Sequence, residues 1–284
     1  MTQPSAAKKI RIEHNTVQET LVIPLYGRKI CTERFPNLFR DDKAMELIER
    51  LDYDFSGLEK QAKSLAHQFG ALEVAMREND LMIETRAYLQ EHPKATLVNL
   101  GCGLDQTAEN VDNDQCRIVN IDMPDVIAVR HQLLPASERV RNLGCDLNDP
   151  AWMDEIDPSD GVCLMAAGVF YYFKTEDIKK LFPRMAKRFP GGRLVFDAAG
   201  RRAVKIMLKT WVKDAGITSI SDYFAVNRLD DLAWMKGATV TSRGYMLGYT
   251  DLKDPSVPAL FRLLAKLGDG FMGMRIVRMD FDGE

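Results

Sequence analysis

The chain of 284 residues lacks most of the features that would assign it to a special class, and each absence removes an option. Its five cysteines, at positions 31, 102, 116, 145 and 163, are odd in number and form no C-x-x-C pair, and there are only four histidines. That pattern argues against a disulfide framework or a zinc site and for a reducing, cytoplasmic setting with no metal. No apolar run approaches the roughly 18 residues of a membrane span. The opening MTQPSAAKKIRIEHNT is polar and has no apolar core of a secretory signal. Basic residues are not in surplus: 38 Lys and Arg face 41 Asp and Glu, for a net charge of −3. Neither a nucleic-acid nor a membrane partner is therefore expected. No G-x-x-x-x-G-K-[ST] is present, so a P-loop nucleotide hydrolase is not supported. There is no internal repeat and no low-complexity tract.

The remaining composition, 46% hydrophobic, is that of an ordinary globular core. The first fifteen or so residues read as a loose tail. Thr16 to Arg40 mixes the run Leu21–Val22–Ile23 with Pro24, Gly27 and Pro36, which predicts short elements and loop. Helical spacing follows over Asp42–Leu51, Leu58–Met76 and Asp80–Gln90. From Ala95 the apolar runs TLVNL, RIVNI, GVCLMAAGVF and RLVFDA alternate with helical or mixed stretches. Alternation of this kind predicts an α/β fold, a doubly wound Rossmann-like sheet that is mostly parallel. Thr175–Arg188 predicts a helix with Thr175 as N-cap and a kink or early break at Pro183. A helix with Trp211 and another with Leu229 and Trp234 are expected next. Thr239–Met246 and Met274–Phe281, separated by helical FRLLAKL, predict antiparallel pairing near the C-terminal end.

Ligands of open α/β sheets bind beyond the carboxyl ends of the strands, so the residues just past each run matter most. After the first come Gly101, Cys102, Gly103 and Asp105. The second ends in Asp122, followed by Met123, where a carboxylate can accept from ribose hydroxyls. The third segment brings Asp146 and Leu147, an acceptor for an exocyclic amine beside a side chain able to cover a ring. A dinucleotide site would carry a third glycine to admit a pyrophosphate, and the position three after Gly103 is Gln106. An adenosine ligand without phosphate remains, and S-adenosylmethionine fits.

Here the chain resembles the leucine carboxyl methyltransferase family, including its bacterial polyketide O-methyltransferases of the tetracenomycin type. The resemblance is carried by ETLVIPLYGR (Glu19–Arg28), RENDLMIETRAYLQEHP (Arg77–Pro93), NLGCGLD (Asn99–Asp105), IDMPDVIAVR (Ile121–Arg130), CDLNDPAW (Cys145–Trp152) and AGVFYYF (Ala167–Phe173). It implies a class I methyltransferase sheet over 91–284 and an N-terminal tail and helical cap or lid over 1–90. It also implies S-adenosylmethionine as cofactor, with S-adenosylhomocysteine as product. Gly101, Cys102 and Gly103 would pass under the methionyl part, Asp122 with Met123 would hold the ribose, and Asp146 with Leu147 the adenine. Arg77 would pair with the methionine carboxylate. Ala167 stands where relatives often carry Glu, which removes a polar contact near the cofactor. Gln106 and Thr107 replace a frequent Thr-Arg.

Methyl transfer to oxygen needs positioning and desolvation, and a carboxylate acceptor needs no base, whereas a phenol does. None of His14, His67, His92 and His131 is well placed by sequence, which favours a carboxylate or an acidic phenol and leaves the catalytic residues unassigned. On the acceptor side stand Phe170, Tyr171 and Tyr172, with Tyr26 and Arg28 folding over, Arg28 suited to an acidic acceptor. The expected function is methylation of a small, polyketide-like molecule. Two alternatives are methylation of a protein C-terminal carboxylate and cofactor binding without catalysis.

Overall fold

The computed structural model describes residues 9–13, 18–211 and 223–283. Its centre is a seven-stranded sheet built from β3 (Thr96–Leu100), β4 (Arg117–Asp122), β5 (Val140–Gly144), β6 (Val162–Ala166), β7 (Arg193–Ala198), β8 (Ala238–Gly244) and β9 (Arg275–Phe281), in the spatial order β5-β4-β3-β6-β7-β9-β8. The pairs from β5 to β7 are parallel, and β9 pairs antiparallel with both β7 and β8. The sheet is therefore mostly parallel with its antiparallel strand at the C-terminal end, as expected. Strand order reverses between β3 and β6, and in open α/β sheets it is beyond the carboxyl ends at such a point that ligands bind.

The central strands β3, β6 and β7 are buried at every position because helices cover both faces. Residues alternate between two cores. Leu97, Ile118, Cys163 and Met165 pack against Met82, Tyr88 and Leu89 of α4 (Leu65–Glu91). Val98, Leu100, Val119, Ile121 and Leu164 face Ile178, Leu181, Phe182 and Met185 of α6 (Thr175–Arg188). The remaining helices are α1 (Glu19–Arg34), α2 (Asp42–Arg50), α3 (Ser56–Gln61), α5 (Pro124–Leu133), α7 (Arg201–Trp211) and α8 (Ala259–Gly270). The chain start is not wholly loose: β1 (Ile10–Arg11) pairs in parallel with β2 (Leu51–Asp52).

The expectation of short elements over Thr16–Arg40 is corrected by α1, which runs through Pro24. Its buried Leu21, Val22, Leu25, Ile30 and Cys31 gain more by packing than Pro24 costs locally. The two helices expected over Leu58–Met76 and Asp80–Gln90 are likewise corrected. They form one 27-residue helix that starts later, where the Ser64 hydroxyl accepts the His67 N–H. The apolar periodicity falters at Arg77–Asp80 because that stretch is polar. It stays helical because Arg77 and Glu78 find charged partners inside the protein.

Lys174, not Thr175, occupies the N-cap of α6, and the helix continues past Pro183 to Arg188. The stretch with Leu229 and Trp234 is only a 3-10 turn over Leu229–Leu232. All five cysteines are unpaired. Among the described residues no helix is long and apolar enough to cross a membrane.

Candidate functional site

The carboxyl ends of β3 and β4 meet in a turn that glycine makes possible. Gly101 and Gly103 have φ of +64° and +48°, a region where a Cβ is strained. A Cβ on Gly101 would lie 2.5 Å from Val169 Cγ2, and one on Gly103 would lie 3.2 Å from Leu21 Cδ2. The turn is thus pressed between the loop after β6 and helix α1. The Gly103 N–H donates to Asp122 Oδ2 at 2.8 Å, and the Met123 N–H donates to Oδ1 at 2.7 Å. Burial pushes the Asp122 carboxyl up, against the pull of those two N–H groups. Cys102 is buried, its N–H donates to the Ile121 carbonyl at 3.1 Å, and burial holds its thiol well above the usual range. Met123, by contrast, is 38% exposed at the rim.

Two residues to which the sequence reading gave no role hold this turn from behind. Arg130 of α5 is wholly buried and donates to the Gly103 carbonyl (3.1 Å), the Asp105 carbonyl (2.6 Å) and Glu109 (2.8 Å). Asp105 accepts from Asn99 Nδ2 at 2.8 Å and from the Thr107 N–H at 3.0 Å. The hints in the sequence were the place of Asp105 just past the glycines and the arginine that ends IDMPDVIAVR. Beyond β5, Asp146 is exposed, its Oδ1 accepting from the N–H and Nδ2 of Asn148 at 2.9 Å. Leu147 turns inward and joins the core with Trp152, whose Nε1 donates to its carbonyl at 3.3 Å, so its side chain is not free to cover a ring as the sequence suggested.

Beyond β6 and β7 lies the second half of the edge. Arg77 reaches from α4 to Asp197 of β7, with Nη1 3.4 Å from Oδ2. Asp197 also accepts the Gly168 N–H at 2.6 Å and the Tyr171 hydroxyl in a short bond. Burial works against the Arg77 cation, and the Asp197 carboxylate beside it holds the guanidinium ionised. Burial, then Asp197, holds the Tyr171 hydroxyl well above its ordinary range. Ala167 is half-buried against Leu81, Val195, Tyr245 and Ile276.

The residues expected on the acceptor side are not gathered together. Phe170 is a core aromatic, its ring 4.9 Å from Phe182 and 5.2 Å from Phe196. Tyr171 is turned to Asp197, while Tyr172 is 45% exposed beside it. Tyr26 is buried and stacked on Phe55 at 5.6 Å. Arg28, expected to meet an acidic acceptor, instead spends its guanidinium inside. It donates to Asp41 (2.8 Å), Glu78 (3.1 Å) and the Leu104 carbonyl (3.0 Å) and is 2% exposed. Of the histidines, His67 bonds Ser64, His92 packs its ring against Tyr88 with centroids 4.5 Å apart and planes tilted by 31°, and His131 is exposed on α5. His14 lies outside the described residues.

Comparison with known proteins bears on the family and the fold. The family model described as leucine carboxyl methyltransferase matches residues 24–186. The tetracenomycin polyketide synthesis O-methyltransferase TcmP of Streptomyces glaucescens is 30% identical over 183 residues, which cover 64% of this chain and 66% of that protein, just under two thirds. Among solved structures, a DUF574 family protein from Streptomyces avermitilis is similar with a TM-score of 0.61 at 13% identity, over 92% of this chain and 97% of that one. A candidate methyltransferase from Thermobifida fusca is similar with a TM-score of 0.54 at 15% identity, over 74% and 82% of the two chains. At these identities the structural likeness concerns the fold.

Proposed function

The chain belongs to the leucine carboxyl methyltransferase family, whose model matches more than half of it, and from that premise we propose that it is an S-adenosylmethionine-dependent O-methyltransferase. The acceptor is a carboxylate or phenolic oxygen of a small, polyketide-like molecule, in line with the printed role of the TcmP relative. The observation that carries the reading is the glycine turn fastened to Asp122 at the point where strand order reverses. Its Gln106 gives no third glycine for a pyrophosphate.

The residues present fit the cofactor. Gly101, Cys102 and Gly103 line the methionyl part, Asp122 with Met123 takes the ribose, and Asp146 with the Leu147 segment takes the adenine. Arg77 meets the methionine carboxylate, and its Nε is a buried donor with no partner among the described residues. Bound there, S-adenosylmethionine supplies an electrophilic methyl group. The protein's share is to orient the reactants and exclude water. Residues 1–90 act as the cap and 91–284 as the cofactor domain. Arg28 of α1 ties the two together through the Leu104 carbonyl next to the glycine turn. The Tyr171 oxygen is committed to Asp197, so a carboxylate acceptor, already ionised, suits the site better than a phenol needing a base. Five unpaired thiols suit a reducing, cytoplasmic setting.

Thermal denaturation with S-adenosylhomocysteine and with NAD tests the cofactor. Stabilisation by the first and not the second is expected, and the reverse would overturn the reading. Transfer of labelled methyl from S-adenosylmethionine to aromatic polyketide acids, against matched phenols, tests the acceptor. Ala167 favours one other reading, a member that binds the cofactor without catalysis, which would bind S-adenosylhomocysteine and methylate neither set.

A further inference from the structure

Asp197 enters the sequence reading only as the end of a strand, yet three donors from distant parts of the chain converge on its buried carboxylate. The Gly168 N–H takes Oδ1 at 2.6 Å, while the Tyr171 hydroxyl and Arg77 Nη1, the latter at 3.4 Å, share Oδ2. The guanidinium lies against Gly168, where a Cβ would stand 2.7 Å from Nη1 and 3.0 Å from Cζ. Gly168 has φ of +72°, so both its conformation and the space beside it call for glycine.

A guanidinium presents its donors as a rigid planar fork. Anchoring Nη1 on Asp197 leaves the edge formed by Nε and Nη2, and Nε is the buried donor without a partner among the described residues. One carboxylate inside the protein thus fixes the plane in which a second, brought by a ligand, can be met by two parallel N–H groups. Asp197 is also the counter-charge that lets Arg77 stay ionised while desolvated.

We propose that Asp197 is a positioning residue for cofactor recognition, orienting Arg77 toward the methionyl carboxylate and itself locked by Tyr171. The proposal rests on the S-adenosylmethionine reading above. It predicts that Asp197 matters only for ligands that carry the amino-acid end.

Calorimetric titration of the full chain with S-adenosylhomocysteine and with 5′-methylthioadenosine, which keeps the nucleoside and sulfur but has no carboxylate, separates orientation from general damage. For Asp197→Asn, the affinity for S-adenosylhomocysteine should fall about ten-fold or more while that for methylthioadenosine stays within about two-fold. Tyr171→Phe should produce the same split at about three-fold, and it keeps the test open if Asp197→Asn does not fold. In the double variant Arg77→Lys/Asp197→Asn, the losses should not multiply, because both act through one guanidinium. Equal losses for both ligands, no loss for either, or fully multiplicative losses would overturn the proposal. If the unaltered protein binds methylthioadenosine and S-adenosylhomocysteine and the variants bind both as well as the parent, only this inference falls. If the parent binds neither, the methyltransferase reading falls and takes the inference with it.

Discussion

The two halves of the sheet's carboxyl edge are built in different ways. The β3–β4 half is local: Gly101, Gly103, Asp105, Asp122 and Arg130 come from one strand–turn–strand–helix unit, and backbone N–H and carbonyl groups make most of the bonds. The β6–β7 half is assembled from afar, its central ion pair joining residues 120 positions apart in sequence. A local unit can specify its own geometry, whereas the distant one depends on how α4 seats against the sheet. The first half should therefore fail by losing structure, and the second by losing ligand selectivity.

The largest effect that would break this contrast concerns Arg130. Arg130→Met takes the donor from two carbonyls and the ion pair from Glu109, which keeps Asn120 Nδ2, and breaking such a buried arrangement costs about 3–5 kcal/mol. Urea denaturation should show that loss; a change under about 1 kcal/mol would mean the turn holds itself.

The second prediction concerns the helix that carries the distant half. Asp80, one turn beyond Arg77 on α4, is wholly buried with neither carboxylate oxygen partnered among the described residues. Burial, with Asp269 and Glu84 nearby, pushes its carboxyl up to about 9. Since the folded pKa lies above the unfolded one of about 3.9, folding favours the protonated form. The stability this confers is complete below about pH 4 and drains away as pH rises toward 9. Asp80→Asn should remove that dependence, a relative gain on the order of 4 kcal/mol between pH 5 and pH 8. Parallel pH–stability curves for parent and variant would contradict it.

A third, smaller effect sharpens the local side. Gly101→Ala meets both a positive φ and a Val169 methyl 2.5 Å away, so about 2 kcal/mol of stability should be lost. Adding Val169→Ala should restore the steric part and leave the backbone part. Complete restoration would mean that the conformation carries no cost.

The smallest effect separates the halves by ligand. Asp122→Asn should weaken S-adenosylhomocysteine and methylthioadenosine alike, by about ten-fold, since both carry the ribose. Arg77→Lys should weaken only the former, again by about ten-fold, because lysine cannot offer a planar fork. Identical profiles for the two variants would erase the distinction.

The same contrast explains which features were legible in the chain. The strands β3, β4, β6 and β7, α6, α8 and the closing strands stand out because apolar runs of the right length and period are local signals, whereas β5, VRNLG, has no such run. The glycine turn and Asp122 could be read together because they end consecutive strands. The course of α1 through Pro24 and the unity of α4 could not. In both, unfavourable local signals are outweighed by partners elsewhere: α1 by its packing, the polar stretch Arg77–Asp80 by Arg28 and Asp197. Arg28 shows the same limit from the other side. As a lone cation in an N-terminal segment it suits an acidic acceptor, but folding brings Asp41 and Glu78 to it and turns it inward.

By itself the sequence determined a doubly wound sheet, the place of its glycine turn and the absence of a pyrophosphate fingerprint, because these depend on residue order within a few dozen positions. Only the tertiary structure decided that Arg130 and Asp105 brace the turn, that Phe170 and Tyr26 are core, and that Arg77, Tyr171 and Asp197 form one cluster. Which buried charge meets which partner is settled by desolvation. A charge removed from water must find its counterpart wherever the fold brings one, and sequence distance does not enter that balance.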